Sequence, residues 1–462
     1  MPLEVAIIGG GIAGLTLAAA LQHNPNLRVN IYERATELKE IGAVIGLAPN
    51  ALRTLEKIGV ADVLTDAVGW RNPNGIPMTF AHYKTGEVIS RDFFRNVPDR
   101  RHHFARMHRA RLQQGLLKHV APHVIHLGKK VASVAAHRDQ GATVTFSDGS
   151  TINTDVVIGA DGIKSKVRQS FVPNHTLSWT GDVVFRTVFN YSLVEDIPNL
   201  PQNSTHFTNG LDFFFATRAG SDQYAVTATF IVDPRTDHQY SETDWNKSAS
   251  VDTLRERYAS WNSLVLAIID RIPWVRSYTN IAGRVLDQWS FEDRVTLLGD
   301  AAHTHGGAFA AGAALAIDDA YALSLAFEEV FPSSGGIVPQ KSVPDQLLRV
   351  FDLYEAVRKP HSSKLLAIVE AHRRNNLSQL AKRRSGHGET DEEFRKRYTA
   401  RMDATWLAEH DVEATFRKHV EVGNVAGKGN SATVEEKITT VPGKVIVEIT
   451  EAEVHVPARA TL

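Results

Sequence analysis

The 462 residues carry 51 Lys and Arg against 52 Asp and Glu, a formal net charge of −1, with 43% apolar and 22% charged residues and no cysteine. Such a chain is long and apolar enough for two or three domains with a substantial core, and its balanced charge offers no global field to recruit nucleic acid or an anionic membrane. The absence of cysteine excludes disulfides, thiolate metal sites and a cysteine nucleophile.

Residues 5–34 read VAIIGGGIAGLTLAAALQHNPNLRVNIYER. The run Val5-Ala6-Ile7-Ile8 suits a strand buried on both faces. Gly9, Gly11 and Gly14 then supply G-x-G-x-x-G, and an Ala/Leu-rich helix pattern leads to a second strand ending at Glu33. Strand, glycine turn, helix, strand and acid make a dinucleotide-binding βαβ unit. Gly9 permits the tight turn, Gly11 lets the backbone approach a pyrophosphate, and Gly14 lets the helix lie close to the strand. Glu33 is placed to accept from a ribose diol. The glycines break the apolar run and no basic leader precedes it, so it is neither a signal peptide nor a membrane span. No other run could cross a bilayer, and a cytoplasmic location is expected.

Residues 37–46 form a glycine-punctuated loop, and 49–58 resume a helical pattern. Residues 71–98 read as a β excursion with a hairpin turn at Lys84-Thr85-Gly86. Residues 104–120 bring Arg106, Arg109 and Arg111, then Leu112, Leu116 and Leu117 at helical spacing. A β meander spans 131–152, with Asp148-Gly149 as its turn. The run DVVIGADGIKSKVR, residues 155–168, is a second buried strand leading to Asp161-Gly162 and a helix start. Strand-like runs between 175 and 285 predict an inserted antiparallel sheet, followed within it by a helical piece at 251–272. RVTLLGD, residues 294–300, returns to a buried strand ending in Gly299-Asp300. A helix is expected from about Ala311 to Val330, a Ser/Gly/Pro-rich loop at 333–344, and helix again at 346–380 with a kink or start at Lys359-Pro360. Residues 391–422 are charged and helical, and 423–462 form a weakly folded tail with alternating β stretches.

The predicted fold class is therefore α/β: a Rossmann-like domain with an inserted antiparallel sheet and C-terminal helices. The expected cofactor domain is discontinuous (1–72, 100–174, 286–345), the substrate domain comprises 73–99 and 175–285, and the helical region is 346–422. Asp300, at the end of a parallel strand, lies at the carboxyl edge where α/β ligands bind. Beyond it, AAHTHGGAFAAGAA is rich in small residues, and its backbone N–H groups, those of Gly312 and Ala313 included, can face an anionic ring.

These three motifs in this order resemble the single-component flavoprotein aromatic hydroxylases, the class that includes salicylate and para-hydroxybenzoate hydroxylases. The likeness covers roughly residues 1–422. It implies FAD held by Gly9, Gly11, Gly14 and Glu33, with Arg34, Arg109 and Asp300 at the ribose, pyrophosphate and ribitol, and Asp161 serving both FAD and NAD(P)H. NADPH or NADH would act transiently, since only one Rossmann fingerprint is visible. It further implies capture of O2 as a flavin C4a-hydroperoxide and attack on it by a phenolic or salicylate-like ring. Where many members carry a proline after the histidine, this chain has Gly306-Gly307, as in the branch acting on polyketide-derived phenols. Ring hydroxylation, decarboxylative hydroxylation and dearomatisation are thus all open. A flavin-dependent reductase and a non-catalytic flavin-binding protein are the alternatives, and the likeness permits a monomer or homodimer.

The substrate pocket should be apolar with one or two cationic or hydrogen-bonding groups. Arg186, mid-strand in VVFRTVF, is the candidate partner of a phenolate or carboxylate, since an unpaired arginine among apolar residues is costly. Phe213, Phe214, Phe215 and Tyr224 could form a ring-facing wall, with core packing the ordinary role of any single one. Tyr224 and His305 join Arg186 as the catalytic candidates, whereas His303 is expected to hydrogen-bond within its loop. The histidine pairs lack a carboxylate at metal-site spacing, and no metal is expected.

Overall fold

A computed structural model of the chain describes residues 1–38, 44–241, 245–335, 342–401, 403–426, 432–441 and 444–453. Leu3–Ile8 runs near the middle of a six-stranded sheet, paired in parallel with Leu27–Tyr32 on one side and Val156–Gly159 on the other. Val295–Leu297 extends the parallel order, Ser290–Phe291 adds an antiparallel edge, and Ile125–His126 closes the other edge. Central strands covered on both faces need apolar side chains on both, which explains the unbroken runs at Val5–Ile8 and Val156–Ile158, all at most 2% exposed. Helix Ile12–Leu21 packs against helix Gly312–Val330, and the latter against the 42-residue helix Val343–Arg384. Because these strands run parallel, Gly9, Glu33, Asp161 and Asp300 all follow carboxyl ends gathered at one edge.

A second sheet of eight strands stands beside the first. Its order is Trp245–Ala249, Val275–Gly283, Leu177–Asn190, Gln223–Ile231, Phe213–Ala219, Thr205–Thr208, Thr79–His82 and Val88–Arg91. The expected all-antiparallel arrangement fails at one place: Thr205–Thr208 runs parallel to Thr79–His82. These two strands come from separate excursions of the chain, so no hairpin forces them to oppose. The back of this sheet, with Phe185, Phe214 and Tyr224, is sealed by helices Asp252–Tyr258 and Ser263–Asp270 through Leu254, Tyr258, Val265 and Ile268. The front, with Val188, Ala219 and Ala225, meets Val44 of a small sheet on the cofactor side.

That small sheet adds a strand to residues 104–120, ahead of the expected helix. Ala105–His108 is a strand between Val44–Leu47 and Gly69–Arg71, and the helix begins only at Arg109, capped by the His108 ring accepting from Ala110 N–H at 3.2 Å. The helix Val343–Arg384 neither starts nor stops at Pro360 but runs through it. The tail carries a hairpin, Ala432–Val441 with Lys444–Glu453. The expected loops at 37–46 and 333–344 lie partly outside the described residues. Among the described residues no helix is long and apolar enough to cross a membrane.

Candidate active site

The glycine loop divides into two kinds of position. A Cβ on Gly14 would collide with the Gly9 carbonyl oxygen, and Gly9 itself adopts φ +113° against the Ala160 carbonyl. Both are demanded by the protein's own backbone. At Gly11 an added Cβ would meet nothing within 4 Å, so that glycine keeps open a space the protein does not fill. Glu33 closes the loop from the side, its carboxylate accepting from Gly10 N–H at 2.7 Å and from Ala35 N–H at 2.8 Å. Arg34 beside it is exposed.

Two further loops meet at the same edge. Asp161 accepts from Lys166 N–H (2.6 Å) and Val167 N–H (3.2 Å) at the start of helix Lys166–Phe171 through one carboxylate oxygen, while its other oxygen is buried with no partner among the described residues. Arg168, from the same motif, donates to the Ala301 and Asp300 carbonyls (2.8 and 3.3 Å) and to Ile163 O (2.5 Å), tying the second loop to the third. The sequence reading passed over this residue, although it closes the GADGIKSKVR run. The Asp300 carboxylate makes no hydrogen bond among the described residues; burial raises its pKa against the pull of His303, Arg109 and Arg168. Gly312 and Ala313 open a 19-residue helix whose N-terminus has no side-chain cap, leaving backbone N–H groups toward this edge.

Behind Asp300 lies a buried polar cluster invisible in the sequence. Asp319 is fully buried, accepting from Gly299 N–H (3.3 Å) and Arg358 Nε (2.8 Å), with His303 Nε2 2.5 Å away. Burial alone would raise the Asp319 carboxyl, but His303 and Arg358 overcome it and hold the group at about 2. His303 thus bonds a side chain on the next helix, not loop backbone. His305 is 3% exposed and turned toward Ser362 Oγ of the long helix, at 3.2 Å. Burial, then His303, pushes its pKa well below the ordinary value, so the ring is neutral.

The loop that follows reaches the front of the eight-stranded sheet. Gly283 N–H donates to Thr304 O at 2.9 Å, and a Cβ on Gly307 would lie 3.7 Å from Arg186 Nη2. Arg186 sits over the Tyr278 ring, 5.3 Å from its centroid, and makes no ion pair among the described residues. Burial lowers its pKa, with Arg109 adding to the effect. The structure therefore brings Arg186, Arg109, Asp300 and the Gly306-Gly307 turn to one side.

Tyr224 lies elsewhere. It opposes Phe189 while Arg186 opposes Thr227, so an odd number of residues separates the two faces and Tyr224 points to the back. There it is fully buried and donates to Pro201 O at 3.0 Å. Phe214 shares that back face; Phe213 and Phe215 share the front with Arg186. Among the described residues no three His, Asp or Glu side chains gather as a metal site.

Residues 2–337 match the family model described as FAD binding domain. The chain is 29% identical over 354 residues to 6-methylsalicylate 1-monooxygenase atA of Aspergillus terreus, covering 71% of this chain and 75% of that one. It is 27% identical over 382 residues to 6-hydroxynicotinate 3-monooxygenase of Pseudomonas fluorescens, covering 79% and 90%. A solved salicylate hydroxylase substrate complex superposes with a TM-score of 0.72 at 21% identity, over 90% of this chain and 97% of that one. With the family match spanning most of its length, this chain belongs to the FAD binding domain family.

Proposed function

We propose that the protein is an FAD-dependent monooxygenase that uses NAD(P)H and O2 to hydroxylate a phenolic or salicylate-like ring, with Arg186 holding the substrate's anionic oxygen. The residues present fit FAD: open space beyond Gly11 and Gly312, an uncapped helix N-terminus at Gly312-Ala313, and a buried Asp300 carboxylate whose pKa burial raises and which makes no hydrogen bond among the described residues. Gly9, Gly11, Gly14 and the Gly312 helix would cradle phosphates and ring, with Arg109 near the pyrophosphate and Asp300 at the ribitol hydroxyls. Glu33 keeps lone pairs for the ribose, and Asp161 shapes the loop between. Bound flavin supplies the two-electron and oxygen chemistry; the chain supplies orientation, exclusion of water and charge.

One observation carries this reading. Arg186 is a cation set mid-sheet beside the Gly306-Gly307 turn, with an aromatic ring but, among the described residues, no carboxylate for company. Holding a phenol as its phenolate raises the electron density of the ring carbon to be oxygenated, and a half-buried guanidinium favours that form. The relatives, named for oxygenation of methylsalicylate and hydroxynicotinate, support a small acidic aromatic. His305 serves as the anchor that fixes the turn on the long helix, and Tyr224 drops out of the set of groups that touch substrate.

The test is purification followed by a screen of phenols and salicylates for stimulated NAD(P)H oxidation with matching oxygen uptake. Arg186→Ala should bind FAD normally and lose about 100-fold or more in kcat/KM, the scale of one lost charge-assisted contact in a dry site. Turnover without oxygen consumption would instead mark a reductase.

A further inference from the structure

The front of the eight-stranded sheet holds a second cation that the proposed reaction leaves unused. One register row crosses this face: Arg186 opposes Thr227, Thr227 opposes Phe215, Phe215 opposes His206, and His206 opposes Phe80. Directly opposed residues point the same way, so the row is a floor running from Arg186 across an aromatic strip. Arg106 reaches over that strip from the small sheet on the cofactor side. Its guanidinium lies 4.4 Å from the Phe104 ring centroid and 4.8 Å from that of Phe215, and its Nε donates to Ser204 Oγ at 2.8 Å. It fits there because Gly46, directly beside it, has no side chain.

Arg106 is 5% exposed and no carboxylate pairs with it among the described residues. Burial alone pulls its pKa to about 9. Arg401, at the far end of the row, makes the contrast: it stacks 3.7 Å over Phe80 but is ion-paired with Asp92. A buried cation without a counter-charge is unfavourable in the free protein, and an anionic ligand removes the penalty. His206 stands between Phe80 and Phe215, at 5.4 and 4.8 Å, and its buried Nδ1 has no partner among the described residues. Burial, then Arg106 and Arg401, holds it neutral, with a pKa of about 3.

We propose that Arg106 and His206 form a second anchor in the aromatic-substrate site. Arg106 takes a carboxylate or acyl oxygen and His206 hydrogen-bonds the same group, across the ring from the oxygen held by Arg186. Two strand spacings put the Phe215 platform roughly 10 Å from the Arg186 strand, a gap that one substituted ring closes once the arginine side chains reach inward. The substrate class narrows to phenols bearing a second acidic or carbonyl oxygen on the far side. This rests on the aromatic-hydroxylase reading above.

FAD-loaded protein is titrated with phenol and 4-methylphenol as single-anchor probes and with 4-hydroxybenzoate and 2,4-dihydroxybenzoate as two-anchor probes, following the flavin absorption. Arg106→Gln should raise Kd for the benzoates about 10- to 100-fold and leave the phenols within about twofold, with Arg106→Lys recovering part of the loss. Arg186→Gln should weaken all four. Because Arg106→Gln deletes an uncompensated buried charge, its ligand-free form should melt no lower than the unmodified protein. Equal losses for both probe classes, no loss, or a melting point lower by more than about 5 °C overturns the second anchor alone. If the unmodified protein's flavin responds to none of the probes, the aromatic-substrate reading falls, and the second anchor with it.

Discussion

At the scale of single residues, the glycines of one motif separate what folding needs from what a ligand needs. Gly14 is required by its own backbone, since any side chain there would strike the Gly9 carbonyl. Gly11 sits at φ −79°, ψ −173°, which alanine adopts freely, with nothing near its missing Cβ. Gly14→Ala should therefore destabilise the FAD-free protein by about 1–3 kcal/mol, the ordinary cost of overpacking. Gly11→Ala should leave the FAD-free melting point unchanged and lower FAD affinity at least tenfold, because the new methyl occupies the phosphate's approach. Melting curves of stripped protein and flavin content after gel filtration check both; similar behaviour of the two variants would refute the distinction. Side-chain parity has the same residue-level logic. Arg186 was legible as a candidate because a cation among valines and phenylalanines stands out in any strand. Tyr224 was misjudged because a tyrosine is at home on either face, and only the register with Phe189 decides which.

Elements were legible where composition and period agree. The runs at Val5–Ile8 and Val156–Ile158, each followed by glycine, read as buried parallel strands and are such. Ala105–His108 did not, because a four-residue strand carrying Arg106 and His108 has no apolar alternation to announce it. Long-range partners were unreadable in principle: Asp319 and Arg358 are 39 residues apart on different helices, and nothing local links them. Yet this pair, with His303, fastens the helix Gly312–Val330 to the long helix and to the Gly299 turn. Asp319→Asn leaves Arg358 buried beside a neutral amide and should cost about 3–5 kcal/mol in urea unfolding, the scale for breaking a buried pair from one side. Replacing both, Asp319→Asn with Arg358→Met, should cost less than the sum of the single changes, since no charge is then stranded. A single-variant loss under about 1 kcal/mol would show that the pair does not hold these helices together.

The molecule carries several histidines in its interior, and these shape how stability responds to acid. Burial holds His206 and His410 neutral with pKa values of about 3, and burial reinforced by neighbouring cations pushes His305 and His361 well below their ordinary range. In each case the folded value is depressed, so below pH 6.5 the unfolded chain binds more protons than the folded one, and stability falls as pH drops through that value. Asp318 works against this, since burial raises it to about 6 and the fold then takes up a proton the unfolded chain does not. Burial also lowers His108, His175 and His372, and it raises Asp161, Asp182 and Asp300 alongside Asp318. The histidines start from an unfolded value inside the window and the carboxyls from one of about 4, so the histidines dominate and stability falls between pH 7.5 and 6. Asp319, held at about 2, adds a second loss only as pH falls below its unfolded value near 4. Melting temperatures in matched ionic strength should therefore fall by a few degrees from pH 7.5 to 6. His410→Gln, which keeps a donor and an acceptor near Thr415 and Arg358 without the titration, should make that slope shallower. A melting point that rises over this range, with a slope that His410→Gln leaves unchanged, would mean that the interior histidines are already charged in the fold. The neutral donor–acceptor role assigned to His206 beside Arg106 would then fail as well.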